Sequence, residues 1–409
     1  MPRTRSVMRS RFSASCVVTL AAILNGCAGG HGNYTTEGLN AAQQRMAVIK
    51  SGTQWDMARQ QFLAGDLKKA LKSVDNSIEI NDSVTKAHTL RGRILMELGQ
   101  LEAAGKEFHR ALELDASFVD AHYYLAILHE RFNEPEEALA EYQAAAALEP
   151  SDAQYLIAAS EMLMDLGRLD EAEQLLESRS EDFQHNPGVH QTLGHLAMIR
   201  GDADKAVKLF DEARLLAPDD HSILEDLAVA QMQAEKFVEA EYTLRQLLKD
   251  PERADRRDLK RLRARCLVSL DRPVEAREIL LSLTSDDDGR NDIDAWVDLG
   301  QVALMLGDRH RVQIAAARVV ALAPTRFEGP LLAALWKRAK GDLPGALKSA
   351  TRAVTLAASS DPTPMVVRGA ILREMGRLDE AEESFVKAIA IDPSDTRARS
   401  MLAAVGTDQ

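Results

Sequence analysis

Gly65-Asp66-Leu67, three residues before Ala70, returns along the chain as Gly99-Gln100-Leu101 before Ala104 and Gly167-Arg168-Leu169 before Ala172. It comes back again as Gly201-Asp202-Ala203 before Ala206, Gly341-Asp342-Leu343 before Ala346 and Gly376-Arg377-Leu378 before Ala381. Successive glycines are 34, 68, 34, 140 and 35 residues apart, close to multiples of 34. A fixed period of this length marks one supersecondary unit used repeatedly. The 409 residues would otherwise suggest two or three globular domains, and the period overrides that prior.

Working outward from the turns gives ten repeats, at 51–84, 85–118, 119–152, 153–186, 187–220, 221–254, 257–290, 293–326, 327–360 and 362–395. The eighth position of each is small: Ala58, Gly92, Ala126, Ser160, Gly194, Ala228, Ala264, Gly300, Ala334 and Gly369. The twentieth is alanine in nine repeats, with Val312 the exception, and the twenty-fourth is large in Phe108, Tyr142, Leu176, Phe210, Leu244, Leu280 and Phe385. Pro150, Pro218, Pro324 and Pro393 share the thirty-second position, where a proline ends a helix. Small residues let two antiparallel helices, A and B, approach closely while the large one fills the space beside them. One such pair cannot bury its apolar face alone, so neighbours must stack.

These columns resemble the tetratricopeptide-repeat (TPR) family over about residues 51–395. The resemblance implies an all-α fold, a right-handed α-α superhelix or solenoid of helix-turn-helix repeats. Repeats one to six occupy 51–254 and seven to ten 257–395. Residues 40–50 read as a lead-in helix. Residues 396–409 read as a C-terminal capping helix and tail, with Ala398, Met401, Leu402 and Val405 on one face. Departures from the pattern are Arg179 in repeat four, Ala316 in repeat eight, and the extra residues flanking repeat seven, which predict a bend or loosening between 250 and 292.

The N-terminus reads as an address. Arg3, Arg5, Arg9 and Arg11 precede the short apolar run Cys16–Leu24, which ends in Leu24-Asn25-Gly26-Cys27. This order resembles a bacterial lipoprotein signal, in which residues 1–26 are removed and Cys27 takes the lipid. Several acyl chains hold a protein to a membrane where one would not. Residues 27–39, Gly-rich and polar, then read as a flexible tether. Ala28 follows the cysteine, with no aspartate of the inner-membrane retention type, so the periplasmic face of an outer membrane is the expected location in a cell that has one.

The formal charge of −13, deepened by four when the signal arginines go, repels phosphate backbones and argues against nucleic acid. The basic stretch Arg253 to Arg265 lacks the aromatics of a nucleic-acid site. It reads as a solvated helix face, or as one reaching an acidic protein through Arg261 and Arg265. The acidic run Asp286 to Asp294 lacks carboxylates at the first and twelfth positions of a calcium loop. Cys266 stands alone, no catalytic motif is present, and no cofactor or metal is expected.

In TPR proteins the concave face is lined by positions two, five, nine, twelve and thirteen of the A helices. The resemblance therefore implies a partner-binding groove containing Lys86, Arg93, Met96, Tyr123 and Arg131. It continues through Glu161, Met164, Gln191, His195, Met198 and Met232. Methionines at the twelfth position suit varied peptides, although they equally suit helix packing. Arg93 and Arg131 near Tyr123 suit a carboxylate or acidic segment, unless they pair with Glu97 and Glu130. The expected function is a membrane-tethered adaptor holding a protein or peptide partner, as TPR lipoproteins of pilus and secretion assembly do. The alternative is a periplasmic chaperone-like factor with many weak clients. The sequence leaves the oligomeric state open.

Overall fold

The computed structural model describes residues 33–179, 181–357 and 361–408. The signal segment, Cys27 and residues 28–32 lie outside them. Among the described residues are twenty-one α-helices, one 3-10 turn at Gly289–Asn291 and no strand. They fall into two compact units, Met1–Gly167 and Arg168–Gln409.

The first unit contains α1 (Asn33–Leu63), α2 (Leu67–Ile80), α3 (Thr85–Glu97), α4 (Leu101–Leu114), α5 (Val119–Arg131), α6 (Pro135–Leu148) and α7 (Ala153–Asp165). The second begins with α8 (Leu169–Glu177), α9 (Pro187–Ile199), α10 (Ala203–Leu216), α11 (His221–Gln233), α12 (Phe237–Leu247), α13 (Arg257–Ser269) and α14 (Pro273–Ser285). It continues through α15 (Ile293–Met305), α16 (Arg309–Leu322), α17 (Glu328–Lys340), α18 (Leu343–Ala357), α19 (Thr363–Glu374), α20 (Leu378–Ile391) and α21 (Thr396–Asp408). Odd-numbered helices to α19 are A helices and even-numbered ones are B helices.

The fifteenth residue of every repeat has positive φ. Seven are glycines, from Gly307 at 68° to Gly341 at 88°, and the other three are Asn133 at 60°, Glu235 at 57° and Asp271 at 56°. A left-handed residue closes the A helix and redirects the chain. The following aspartate then caps the B helix: Asp66, Asp202 and Asp308 accept from the backbone N–H of Lys69, Lys205 and Arg311. The Gly-Asp pair is thus a stop signal and a start signal side by side.

The columns meet in the core. A Cβ on Gly92 would sit 2.4 Å from the Phe108 ring, and Gly194 and Gly369 stand in the same relation to Phe210 and Phe385, each at 2.6 Å. Where the eighth residue is alanine, its twenty-fourth counterpart is Val74, Tyr142, Leu244, Leu280 or Ala350 rather than phenylalanine. In repeat eight the twenty-fourth residue is Ala316, and Leu332 of the next repeat moves against Gly300 instead, 2.6 Å from its missing Cβ. The large group comes from a neighbour, so the close packing survives the departure.

Three features are not what the repeat pattern alone would give. The tether and the lead-in helix do not exist as separate segments from Asn33 onward, because α1 runs unbroken from Asn33 to Leu63. No proline interrupts it, and extending an existing helix is far cheaper than nucleating one. Helix α8 stops after nine residues at Glu177, short of the fourteen in α10. Arg179 lies over the Phe183 ring at 5.6 Å, and Phe183 is buried in the turns that follow the helix.

Between 250 and 292 the chain is laced rather than loose. Arg257 donates to Asp286 (3.0 Å), Asp292 (3.0 Å) and the Leu283 carbonyl, and the second compact unit continues through this segment. At the C-terminus, α21 buries Ala398 and Val405 against Phe385 and Leu372, with Met401 and Leu402 alongside.

Candidate partner-binding grooves

In the first unit the A helices place an aromatic floor under cations. Trp55 of α1 donates its indole N–H to the Lys86 carbonyl at 3.1 Å, while the Lys86 ammonium stands 3.8 Å from the indole centroid. Arg93 lies between Phe62, at 5.0 Å, and Tyr124, at 4.3 Å. Tyr123 meets Tyr124 and Tyr155 edge-on at 5.3 and 5.5 Å, and Tyr142 at 5.8 Å. Arg131 donates to the Met96 carbonyl at 3.3 Å. Two recesses open here, about 440 Å³ around Trp55, Lys86 and Arg93 and about 130 Å³ around Phe62, Tyr124 and Arg131.

The electrostatics are unusual for so acidic a chain. Arg59, Lys86, Arg93 and Arg131 line these recesses with only Asp120 and Glu97 as carboxylates. Among the described residues none of the four cations forms an ion pair with a carboxylate. Glu130 is not available to Arg131 in the way the sequence allowed, because it accepts the Tyr142 hydroxyl. Burial pushes the Tyr155 phenol up to about 12 and also raises Tyr124 and Tyr142, so these rings stay neutral at ordinary pH. A cation over an aromatic face contributes on the order of 0.5–2 kcal/mol and keeps its outer N–H groups for another acceptor.

Lys86, Arg93 and Arg131 therefore line the two recesses, with Arg93 in both, and Tyr123 stands behind them against Tyr124. Trp55, Arg59 and Phe62 join them, at positions five, nine and twelve of repeat one; applying the same positions one repeat earlier would have found all three. Glu161 is exposed and Met164 half-buried on α7. The remaining predicted residues lie in the second unit. There Gln191 and His195 both bond the Asp226 carboxylate, at 2.7 and 2.9 Å. The methionine ladder is largely packing: Met96 is 4% exposed and packs with Phe108 and Leu125, and Met198 and Met232 pack against the cores around Phe210 and Leu244. An unbranched thioether fills irregular gaps between helices.

The basic stretch is neutralised internally. Arg253 and Arg256 pair with Glu225, and Arg263 with the buried Glu241. Lys260 pairs with Asp255, Arg261 with Asp294, and Arg265 with Asp298. Arg261 and Arg265 are thus not presented to an acidic partner, and the stretch is an ion-pair lattice between repeats rather than a solvated face. The acidic run is used the same way: Asp286 accepts from the Gly289 N–H, Asp292 caps α15, and Asp294 is held between Arg261 and Arg326. Among the described residues no three His, Cys, Asp or Glu side chains are grouped to hold a metal. Cys266 is buried, which pushes its thiol up to about 11, away from a reactive thiolate.

The second unit has a recess of its own, about 680 Å³, between α13, α15 and α17. Its walls include Val268, Val297, Met305, Leu331 and Leu335. These are again the fifth, ninth, twelfth and thirteenth positions, now of repeats seven to nine.

Stacked helical hairpins with grooves along their A helices define a helical-repeat scaffold. Profiles of the family described as TPR repeat match residues 92–131, and those described as tetratricopeptide repeat match 133–196, 192–256 and 365–395. The chain belongs to the tetratricopeptide-repeat family. It is 28% identical over 187 residues to human Protein O-mannosyl-transferase TMTC3, covering 45% of this chain and 20% of that one. It is 27% identical over 161 residues to the Type IV pilus assembly protein PilF of Pseudomonas aeruginosa, covering 39% of this chain and 64% of PilF. The chain thus spans about a fifth of the first relative and just under two thirds of the second. A crystal structure of a tetratricopeptide repeat protein from Parabacteroides merdae superposes with a TM-score of 0.46 at 18% identity, covering 57% of this chain and 92% of that one.

Proposed function

We propose that this chain is a membrane-tethered scaffold that holds an acidic segment of a protein partner in the groove of its first unit, during assembly of an envelope complex such as a pilus or a secretion apparatus. The observation that carries this reading is the set of cations on the aromatic floor. Lys86 on Trp55 and Arg93 between Phe62 and Tyr124 face a groove without carboxylate partners, on a chain whose net charge is −13. Carboxylates of a partner would complete their hydrogen bonding, and the rings beside them suit apolar groups on the same segment. Resemblance to a protein named for pilus assembly supports the setting. The tether is Cys27, with its lipid at the periplasmic face of an outer membrane where the cell has one.

In-cell cross-linking followed by purification from membranes tests this, comparing the native chain with Cys27→Ser and with Arg93→Glu. The reading expects a discrete partner that is lost with Arg93→Glu, and loss of membrane association with Cys27→Ser. Recovery of the same proteins from all three chains would refute both the groove and the tether. A broad set of weakly held proteins would favour the chaperone-like alternative.

A further inference from the structure

The recess between α13, α15 and α17 is built from the same concave positions as the first-unit groove but with the opposite chemistry. Its lining carries four carboxylates, Asp294, Asp298, Glu328 and Asp361, and two guanidinium groups, Arg265 and Arg326. Both arginines are committed. Arg265 donates to both oxygens of Asp298, at 3.1 and 3.2 Å, and Arg326 donates to Asp294 at 2.7 Å and Glu328 at 2.6 Å. An incoming carboxylate would have to break one of these pairs. Arg261 also pairs with Asp294 at 2.8 Å, so three guanidinium groups face four carboxylates, and an incoming ammonium or guanidinium would meet the one negative charge in excess at Asp361, which accepts the Thr363 N–H.

Beside this rim the walls are aliphatic. Val297 and Leu332 are buried, while Met305 stands 53% exposed at the edge, a flexible thioether able to close over a guest. At about 680 Å³ the recess lies within the roughly 300–1,000 Å³ range of binding pockets. Two or three large side chains from one segment would fill it.

We infer that the second unit contains a separate docking site for a segment of a partner protein that carries two or three large apolar side chains flanked by lysine or arginine. It does not rest on the first-unit reading, whose guest is acidic and whose cations lie on other helices. A scaffold with both sites selects two chemically opposite segments, which one groove of uniform character would not do.

The test uses the full chain and two fluorescein-labelled fourteen-residue peptides, one with leucines at helical spacing flanked by lysines and its counterpart with glutamates, read by fluorescence anisotropy. The lysine peptide is expected to bind at least tenfold more tightly than the glutamate peptide. Met305→Lys, at an exposed position, and the charge-neutral Leu335→Ser should each weaken it about tenfold, while Arg93→Glu leaves it unchanged. A benzophenone on the lysine peptide should cross-link to α15 or α17. Absence of binding, equal binding of the two peptides, indifference to both variants, or cross-links confined to other helices would each overturn the assignment. None of these outcomes alters what Arg93→Glu does to partner capture in cells.

Discussion

Gly92 and Phe108 are matched as a pair: the Cβ that Gly92 lacks would lie 2.4 Å from a carbon of the Phe108 ring. Both residues are completely or almost completely buried, and the ring has no solvent-facing side to retreat to. Gly92→Ala should therefore destabilise the first unit by about 1–3 kcal/mol, the usual cost of overpacking. Phe108→Leu alone should also cost stability, through the cavity it leaves. Combined, the two should cost less than the sum of the singles, and urea unfolding of the four chains measures the difference. Strict additivity would mean that the glycine answers to the backbone and not to the ring.

The left-handed turn residues carry a second prediction. Glu235 occupies with φ 57° the place that Gly201 and Gly341 take in their repeats. A side chain in that conformation costs on the order of 1 kcal/mol that glycine avoids. Glu235→Gly should raise the thermal midpoint slightly, and Gly99→Ala should lower it even though nothing lies within 4 Å of the added methyl. Differential scanning calorimetry distinguishes the two signs.

His88 gives a pH dependence with a definite direction. Its Nδ1 faces the Glu107 carboxylate at 2.8 Å and its Nε2 the Asp82 carbonyl at 3.0 Å, so both nitrogens are set to donate. Burial pulls the imidazole down, but these acceptors outweigh it and raise it above its ordinary 6.5. A raised histidine contributes stability that is fully present below about pH 6.5 and is lost as pH climbs through the folded value. Glu107 is held below its ordinary 4.5: burial raises it, and the bonds from His88 and the charge of Arg91 outweigh that. Its contribution is present above the unfolded value and fades as acid approaches the folded one. The stability difference between the native chain and His88→Gln should shrink as unfolding is measured from pH 6 towards pH 9. A difference that stays constant, or an NMR titration of His88 below 6.5, would contradict the arrangement.

Arg257 ties the connection between α14 and α15 to the start of α13 through Asp286, Asp292 and the Leu283 carbonyl. Arg257→Ala should accelerate hydrogen exchange across residues 285–293 well before the second unit unfolds globally. Unchanged exchange there would show that the helix caps, such as Asp292 on Ala295, hold the segment unaided.

What the sequence made legible follows from what repeats. Turn glycines, the small eighth column and the large twenty-fourth column are local or lie within one hairpin, so their spacing is fixed by helix length and survives in the sequence. The Gly300–Leu332 contact was not legible, because the group that fills the gap left by Ala316 comes from the following repeat. The ion-pair lattice was missed for the same reason, although it left a trace. Arg256 and Glu225 are 31 residues apart, Arg261 and Asp294 33, Arg265 and Asp298 33, and Arg338 and Glu374 36. Those separations approximate the repeat itself, so each arginine could have been checked against the acid one period away. The start of α1 is not legible because a polar, glycine-bearing stretch looks like a tether when a long helix behind it is not taken into account. Position within the repeat leads to Lys86, Arg93 and Arg131 at the first-unit recesses, while Met96 shares such a position and is 4% exposed. Register names a face, and burial decides which side chains on it remain available.

The central claim is that a partner lies in the first-unit groove, and its most direct test is a photo-activatable phenylalanine analogue placed at Tyr123 in living cells. A matching chain carries it at Lys68, exposed on the B helix α2. The account predicts a discrete adduct from position 123, diminished by Arg93→Glu, and none of that mass from position 68. The same adduct from both positions, or adducts from 68 alone, would contradict it.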